Sequence, residues 1–312
     1  MSDKPVINSI GGQAIIEGVM MRGKDSYCLA VRNVNTKEIS THDEPLENNK
    51  PSFLKLPFIR GMVNFVDSMI LGMKIITKSA EMSGLDEYTD DPQEMGKFDK
   101  WIEEKCGDKT SDYIVYFSVF LSMIISTCLF MILPVGISSV ITKTFNISLW
   151  GIGIVEGIVK FSIFLGYILL ISRLDDVNRL FKYHGAEHKT INCFESGEEL
   201  TVENVRKHSR LHKRCGTSFI VILILITMII FMFLQTDDVI TRMISRVVLV
   251  PFIAGISYEV LRLAGKYDNK LIDLISMPGM AMQKITTQEP DDEMIETAII
   301  ALKGVLVEDD TK

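Results

Sequence analysis

Two long stretches of the chain contain no charged residue. They extend from Tyr113 to Thr142 and from Thr217 to Thr236. Each can cross the hydrocarbon layer of a bilayer, which takes about 20 apolar residues in a helix. Two further apolar stretches carry only scattered charges. The pattern predicts four membrane-spanning helices, at residues 113–140, 147–171, 217–235 and 239–263.

The remaining segments have other periodicities. Residues 6–46 contain short apolar runs separated by glycines, which is typical of β-strands. From Phe58 to Met82 apolar residues recur at helical spacing among charged ones, which favours an amphipathic helix at the membrane surface. A helix-start signature at 286–290 precedes an apolar-periodic segment, 294–307, which we interpret as a docking helix.

These patterns together define the expected fold class. It is an α-helical integral membrane protein with four transmembrane helices, a small N-terminal β region, an amphipathic interfacial helix and a cytoplasmic His-rich loop. The expected regions are a β-rich part at 1–50, the amphipathic helix and an acidic connection at 51–110, the transmembrane region at 111–263 with the His-rich loop at 172–216, and a helical tail at 264–312.

Lysine and arginine are concentrated in one of the three connections between the predicted spans. The connection 172–216 holds nine of them, whereas the first connection has only Lys143 and the third, 235–238, has none. Because basic loops stay on the cytoplasmic side, both termini are expected in the cytoplasm of a multi-pass plasma-membrane protein. The N-terminus also lacks the basic and apolar regions of a secretory signal.

The composition narrows the classes of partner and chemistry. A mean hydropathy of +0.23 with 23% charged residues excludes a disordered chain, and a net charge of −7 argues against binding to nucleic acid. Five cysteines without a C-x-x-C motif are expected to be reduced thiols. The expected partners are the lipid bilayer and either another membrane protein or a second copy of the chain.

Four of the five histidines form two pairs, each spaced four residues apart. On a helix, His184 and His188 would share one face, and two imidazoles at that spacing can bind one cation. The order H-x-x-E-H is the inverted zinc-peptidase pattern, in which the glutamate, here Glu187, acts as the base. His208 and His212 form the second pair. A basic loop that contacts lipid headgroups is the alternative explanation of the same residues.

A catalytic zinc site with one open position needs a third protein ligand. Glu259 is the favoured candidate, because it lies at the cytoplasmic end of the fourth predicted span. His208, His212 and Cys215 are the rival ligands. A di-iron hydroxylase centre is excluded, since such centres collect more histidines than the five in this chain.

Glu17 is a carboxylate within an apolar, glycine-rich strand region. Burial of such a group is costly unless it is paired or bound to a metal. Arg22 and Arg60 are the candidate partners. The alternative is an edge strand on which Glu17 faces water.

Two opposite charges are expected at similar depth inside the predicted spans. At 1.5 Å per residue, Glu156 lies about 13 Å deep in the second span and Arg246 about 10 Å deep in the fourth. We therefore predict an ion pair between them, with Lys160 sharing Glu156 as its i+4 neighbour. The alternative is that Arg246 extends to the headgroups along its own stem.

Several motifs together resemble the YqhQ-like family, bacterial multi-pass membrane proteins that are described as predicted metal-dependent enzymes. The motifs are GGQAIIEGVMMRG at 11–23, PFIRG at 57–61, YHGAEHKTINCFE at 183–195, HSRLHKRCGTSF at 208–219, IAGISYE at 253–259 and QKITTQEP at 283–290. The resemblance covers nearly the whole chain. It implies metal dependence through the residues His184, Glu187, His188, His208, His212 and Cys215.

The sequence thus supports three classes of function. The leading hypothesis is a membrane metalloprotein with a cytoplasm-facing site for a divalent metal, zinc, that acts as a metal-dependent hydrolase. In it His184 and His188 are ligands and Glu187 is the general base. The alternatives are a non-enzymatic scaffold that assists assembly of membrane or envelope proteins and a small transporter.

Overall fold

The computed structural model describes residues 10–46, 51, 54, 56, 59–85, 110–212, 215–234, 236, 238–266 and 270–309. Its strands are β1 (Gly11–Ile15), β2 (Gly18–Arg22), β3 (Ser26–Arg32) and β4 (Ile39–Pro45). Its helices are α1 (Ile59–Ser83), α2 (Thr110–Thr127), α3 (Leu133–Thr144), α4 (Leu149–Ile171), α5 (Asp175–Ser196), α6 (Val202–Lys207), α7 (Gly216–Phe233), α8 (Val239–Val248), α9 (Val250–Lys266), α10 (Lys270–Thr286) and α11 (Asp292–Asp309). The fold is mostly helical with a small N-terminal antiparallel sheet, as expected.

The chain divides into two compact units. The first comprises the described parts of Met1–Leu85, Tyr167–Leu223 and Pro251–Lys312. The second comprises the described parts of Asp86–Gly166 and Ile224–Val250. Most of the expected acidic connection, residues 86–109, lies outside the described residues.

The sheet of the first unit has the strand order β1-β2-β3-β4, with every pair antiparallel. Side chains alternate between its two faces. On one face Val19, Met21 and Cys28 pack with α5 and α11, and on the other Leu29 and Ile75 belong to a second cluster beneath α1. Strand β3 is therefore buried along its whole length, because helices cover the sheet on both sides.

The register of the sheet fixes which backbone groups point outward at its edges. The N–H group of Arg32 donates to the carbonyl of Glu17, and the N–H group of Gly23 donates to the carbonyl of Ser26. The odd-numbered residues in and next to β2 therefore form their backbone hydrogen bonds with β3. Even-numbered residues of β2 then bond to β1, in the pairs 18 with 15, 20 with 13 and 22 with 11. The backbone groups of Gly12 and Ala14 consequently point away from β2, along the outer edge of β1.

The second unit is built from apolar helices. The first helix runs through α2, a π-helical turn at Cys128–Ile132 and α3, so the helix is irregular just before Pro134. A Cβ atom at Gly157 of α4 would lie 2.4 Å from the side chain of Met228 on α7. This close approach is what the small-residue spacing at Gly153 and Gly157 predicts.

Among the described residues, two helices are long and apolar enough to cross a membrane, Phe120–Thr144 and Gly151–Ile171. Helices α8 and α9 make a third if the bent pair is one span, with a bend of 49° between Val239–Val248 and Val250–Val260. The straight span expected at 239–263 is thus broken, since Pro251 cannot donate a helical hydrogen bond. The apolar helix Phe219–Phe233 is shorter than a full span, and a count of four spans stays a prediction.

Candidate metal centre

The first histidine pair lies on α5, a helix with clear local start and stop signals. Two aspartates, Asp175 and Asp176, occupy its first turn, where carboxylates interact favourably with the helix dipole. Gly197 ends it in the left-handed conformation with φ 78°. His184 and His188 are one turn apart on this helix, and their ring centroids are 4.4 Å apart.

Both rings are oriented by backbone carbonyls. Nδ1 of His184 lies 2.8 Å from the carbonyl oxygen of Thr286, and Nδ1 of His188 lies 2.6 Å from that of Arg210. A carbonyl can only accept, so each Nδ1 carries a proton, and in the neutral form of the ring Nε2 keeps its lone pair. In metal-ligating histidines the ring nitrogen that does not bind the metal typically donates a hydrogen bond in this way, which fixes the orientation of the ring.

The two lone pairs converge on a cysteine. Nε2 of His184 is 3.2 Å from Sγ of Cys215, and the ligand atoms of His184, His188 and Cys215 all lie within 4.8 Å of one another. Nε2 of His188 is buried and has no hydrogen-bond partner among the described residues. Two imidazoles and a thiol suit zinc, and three protein ligands leave one position open. The residues therefore fit a bound divalent metal.

Glu187 lies beside the three ligand atoms. It is 4% exposed, and its Oε2 is 3.9 Å from Nε2 of His184 and 3.5 Å from Nε2 of His188. Burial raises the pKa of Glu187, against the opposing effect of the neighbouring histidines. Burial likewise lowers the pKa of His188, which favours the neutral imidazole that a metal requires.

The site opens into a cavity of about 390 Å³. One side of the cavity is β1, and the other carries His184, Glu187 and Cys215. Glu187 lies so close to the strand that a Cβ atom at Gly12 would be 2.5 Å from its Cγ. A side chain at position 12 would therefore displace the carboxylate.

The second histidine pair does not form a helical metal-binding pair. Helix α6 ends at Lys207, and His208 follows in an extended conformation, with φ −78° and ψ 159°. The segment after α6 is not helical because its carbonyl groups are bound by a side chain of α5. Asn192 donates to the carbonyls of Ser209 and Leu211. His208 and His212 therefore point to different surroundings.

His208 groups with Cys193 and Glu198, whose ligand atoms also lie within 4.8 Å of one another. Burial, and secondly Glu198, raise the pKa of the Cys193 thiol, so it is a poor ligand in this state. His212 lies instead near the first pair, with its ring centroid 5.8 Å from that of His188 and its Nε2 3.4 Å from Glu195.

Glu259, the favoured third ligand from the sequence, is engaged elsewhere. Arg60 donates to both of its carboxylate oxygens, at 2.6 and 2.5 Å. Neither group of candidate ligands among the described residues contains it. Charge compensation by an arginine explains the carboxylate at this position without a metal.

Glu17 is buried and paired, with a partner that the sequence did not suggest. Arg179 of α5 binds both carboxylate oxygens of Glu17, and the Tyr183 hydroxyl lies 3.4 Å from one of them. Glu17 is one of the non-glycine residues with positive φ, 53°, in the turn between β1 and β2. The bidentate ion pair holds this turn against α5.

The structure brings Glu156 of α4 and Arg246 of α8 together within the second unit. Arg246 donates to both carboxylate oxygens, at 2.7 and 2.9 Å, and both residues are at least 95% buried. The guanidinium also lies 3.7 Å above the ring of Phe231. Lys160 lines the same small gap as Glu156.

Four residues that position the site were not identified from the sequence. Three of them are Arg210, Thr286 and Gln283, and Gln283 pairs with both backbone groups of His212, each at 2.8 Å. Gly185 belongs with them, because a Cβ atom there would lie 2.0 Å from the carbonyl oxygen of Gln288. The available signal for Gln283 and Thr286 was the QKITTQEP motif, which begins in the last turn of α10.

The comparisons with known proteins agree with this chain-wide set of motifs. A family model described as "Protein of unknown function (DUF1385)" matches residues 56–308. The chain is 37% identical over 313 residues to "Uncharacterized protein YqhQ" of Bacillus subtilis (strain 168), covering 98% of this chain and 95% of the relative. No solved structure matches. The expected resemblance to the YqhQ-like family is confirmed.

Proposed function

We propose, since this chain belongs to the DUF1385 family, that it is a membrane metalloprotein whose metal ligands are His184, His188 and Cys215. The observation that carries the proposal is the pair of imidazoles whose Nδ1 atoms are anchored while both Nε2 atoms face one thiol. Among the described residues the buried Nε2 of His188 has no hydrogen-bond partner, and such a group costs free energy unless something binds it. A divalent cation, zinc, satisfies that need.

The reaction we propose is hydrolysis. A divalent cation bound there supplies Lewis acidity. Glu187 would take a proton from the attacking water as the water oxygen bonds to the substrate's electrophilic atom. The same carboxyl would then return that proton to the leaving group as its bond breaks. A pKa raised by burial suits a group that must both accept and release a proton near neutral pH.

Metal analysis of the purified protein in detergent tests the site. We expect one zinc per chain in the wild type, loss of zinc in His184→Ala and Cys215→Ser, and full occupancy in Cys128→Ser, which removes an exposed thiol of the π turn. Wild-type protein that folds but takes up no zinc when it is supplied would contradict the proposal.

The role of Glu187 is tested separately. Glu187→Gln should retain zinc and lose hydrolysis, because the amide cannot accept the proton. A scaffold for assembly of membrane proteins would not need this carboxylate, so cellular function that survives Glu187→Gln would favour that alternative. A transporter, the third class, would depend on the buried Glu156–Arg246 pair instead.

We also propose four spans with both termini in the cytoplasm of a plasma-membrane protein. The support is the basic connection 172–216 and the apolar character of α7 and of the bent pair α8–α9. Cysteines introduced at Thr236 and Ser196 test it, in intact cells treated with an impermeant thiol reagent. Thr236→Cys should react and Ser196→Cys should not, and the reverse result would overturn the orientation.

A further inference from the structure

The cavity beside the candidate ligands is bounded along one side by an edge strand. Ile10 through Ala14 line it, and Gly11 and Gly12 are exposed. From the register of the sheet, the N–H and C=O groups of Gly12 and Ala14 point away from β2. Within the described part of the chain no residue hydrogen-bonds to either of these outward amides.

The two edges of the sheet differ in how they are protected. By the same register, Thr41 and Asp43 have the outward backbone groups on β4, and that strand carries Asp43, Glu44 and His42. Charged side chains on an edge discourage pairing with another strand. Strand β1 has the sequence GGQAI, without a charge. Its edge is therefore the one that can accept a further strand.

The glycines of β1 make its backbone accessible. Glycine within a strand often marks a place where another backbone or a ligand approaches closely. Glu187, the proposed base, lies against Gly12, so a chain that pairs with this strand would pass directly beside the carboxylate. Addition of an extended peptide to a sheet edge is a recurrent mode of recognition, in which main-chain hydrogen bonds provide affinity.

We propose that the substrate of this site is an extended polypeptide segment, which binds as a fifth strand along β1 through the backbone groups of Gly12 and Ala14. This inference rests on the proposed function, because the metal centre supplies the chemistry. Residues 12 and 14 of the strand are about 6.8 Å apart. They can thus engage alternate residues of the incoming chain, with the intervening amide facing away.

Two zinc ligands of different length test the proposal by binding. Acetohydroxamate reports on the metal alone, and acetyl-Ala-Leu-Ala hydroxamate adds a short peptide. On zinc-loaded protein in detergent, titration calorimetry should show the peptide compound binding at least tenfold more tightly. N-methylation of an internal amide that pairs with β1 should weaken the binding of the peptide hydroxamate about five- to tenfold, which is the cost of one hydrogen bond. N-methylation of the adjacent amide, which faces away from β1, should leave the affinity unchanged.

A matched pair of variants tests the strand itself. Ala14→Pro removes the outward N–H of β1, which is a position where a sheet edge tolerates proline. Thr41→Pro removes the equivalent outward N–H of β4. We expect Ala14→Pro to weaken the peptide hydroxamate about five- to tenfold without changing the affinity for acetohydroxamate, and Thr41→Pro to change neither.

The outcomes separate this inference from the proposed function. Equal affinity for the two hydroxamates, or no alternation in the effect of N-methylation, overturns the strand while the metal site stands. Failure of acetohydroxamate to bind overturns the metal site and this inference with it. If Ala14→Pro does not fold, the N-methylated ligands on the wild type give the same decision.

Discussion

Charge reversal at Glu156 should destabilise the protein, and a second reversal at Arg246 should restore much of the loss. In the structure the two side chains form two hydrogen bonds, at 2.7 and 2.9 Å, and are almost completely buried. Glu156→Arg would leave two like charges in that place. Loss of one partner of a buried pair costs about 3–5 kcal/mol, because the other charge remains without compensation.

The size of the effect can be measured by thermal unfolding in detergent. For a protein of this size about 1 kcal/mol corresponds to roughly 2–4 °C in Tm, so Glu156→Arg should lower Tm by roughly 6–20 °C. The variant Glu156→Arg with Arg246→Glu should recover at least half of that difference. As a matched control, the exposed Lys78 and Glu81 pair can be exchanged in the same way, with a change of at most about 0.5 kcal/mol.

The result that would refute the reasoning is equally specific. If the double variant is no more stable than Glu156→Arg alone, the two residues do not stabilise each other in the folded protein. If exchange of Lys78 and Glu81 costs as much as Glu156→Arg, burial is not what makes the first pair important.

Three further predictions follow from the metal centre. Burial raises the pKa of Glu187 above 4.5, so the metal-free folded state prefers the neutral acid. The folded state therefore loses stability as the pH rises past 4.5. Glu187→Gln should have a higher Tm than the wild type at about pH 8 and an equal Tm at about pH 4. Zinc occupancy should fall as the pH decreases below about 6.5, since imidazole binds metal only when neutral. Because burial lowers the pKa of His188, the loss should begin at a lower pH than for free imidazole, and equilibrium dialysis across about pH 5–8 measures it. Gly185→Ala should raise hydrogen exchange at 283–290 and weaken zinc binding, since its Cβ would collide with the Gln288 carbonyl, whereas Gly166→Ala, which meets no atom within 4 Å, should do neither.

The spacing of apolar residues was sufficient to predict those strands and helices whose formation depends on local sequence. It predicted β structure at 6–46, a helix near 58–82, observed at Ile59–Ser83, and His184 and His188 on one helix face. It was not sufficient for the break between α8 and α9, where a single proline, Pro251, interrupts an otherwise apolar helix.

Apart from the Glu156–Arg246 pair, the partners of the charged residues were beyond the reach of the sequence. Glu17 pairs with Arg179 and Glu259 with Arg60, and both choices depend on which distant segments pack together. The same is true of Cys215, which meets His184 although 31 positions separate the two residues along the chain. Spacing can indicate that two histidines share a face, but a third ligand from another segment requires the tertiary fold.

The anchoring of His184 by Thr286 has a consequence for the order of events during synthesis. The histidines are on α5 and the thiol follows at 215, yet the carbonyl that sets the His184 ring lies beyond the last apolar helices. While the ribosome is still adding those helices, Nδ1 of His184 has no acceptor at Thr286, so under the proposed function the metal centre is incomplete. Only a chain that extends through Thr286, with the end of α10 packed beside α5, can orient the His184 ring in this way. Under the proposed function, metal binding is therefore expected to follow the folding of α10.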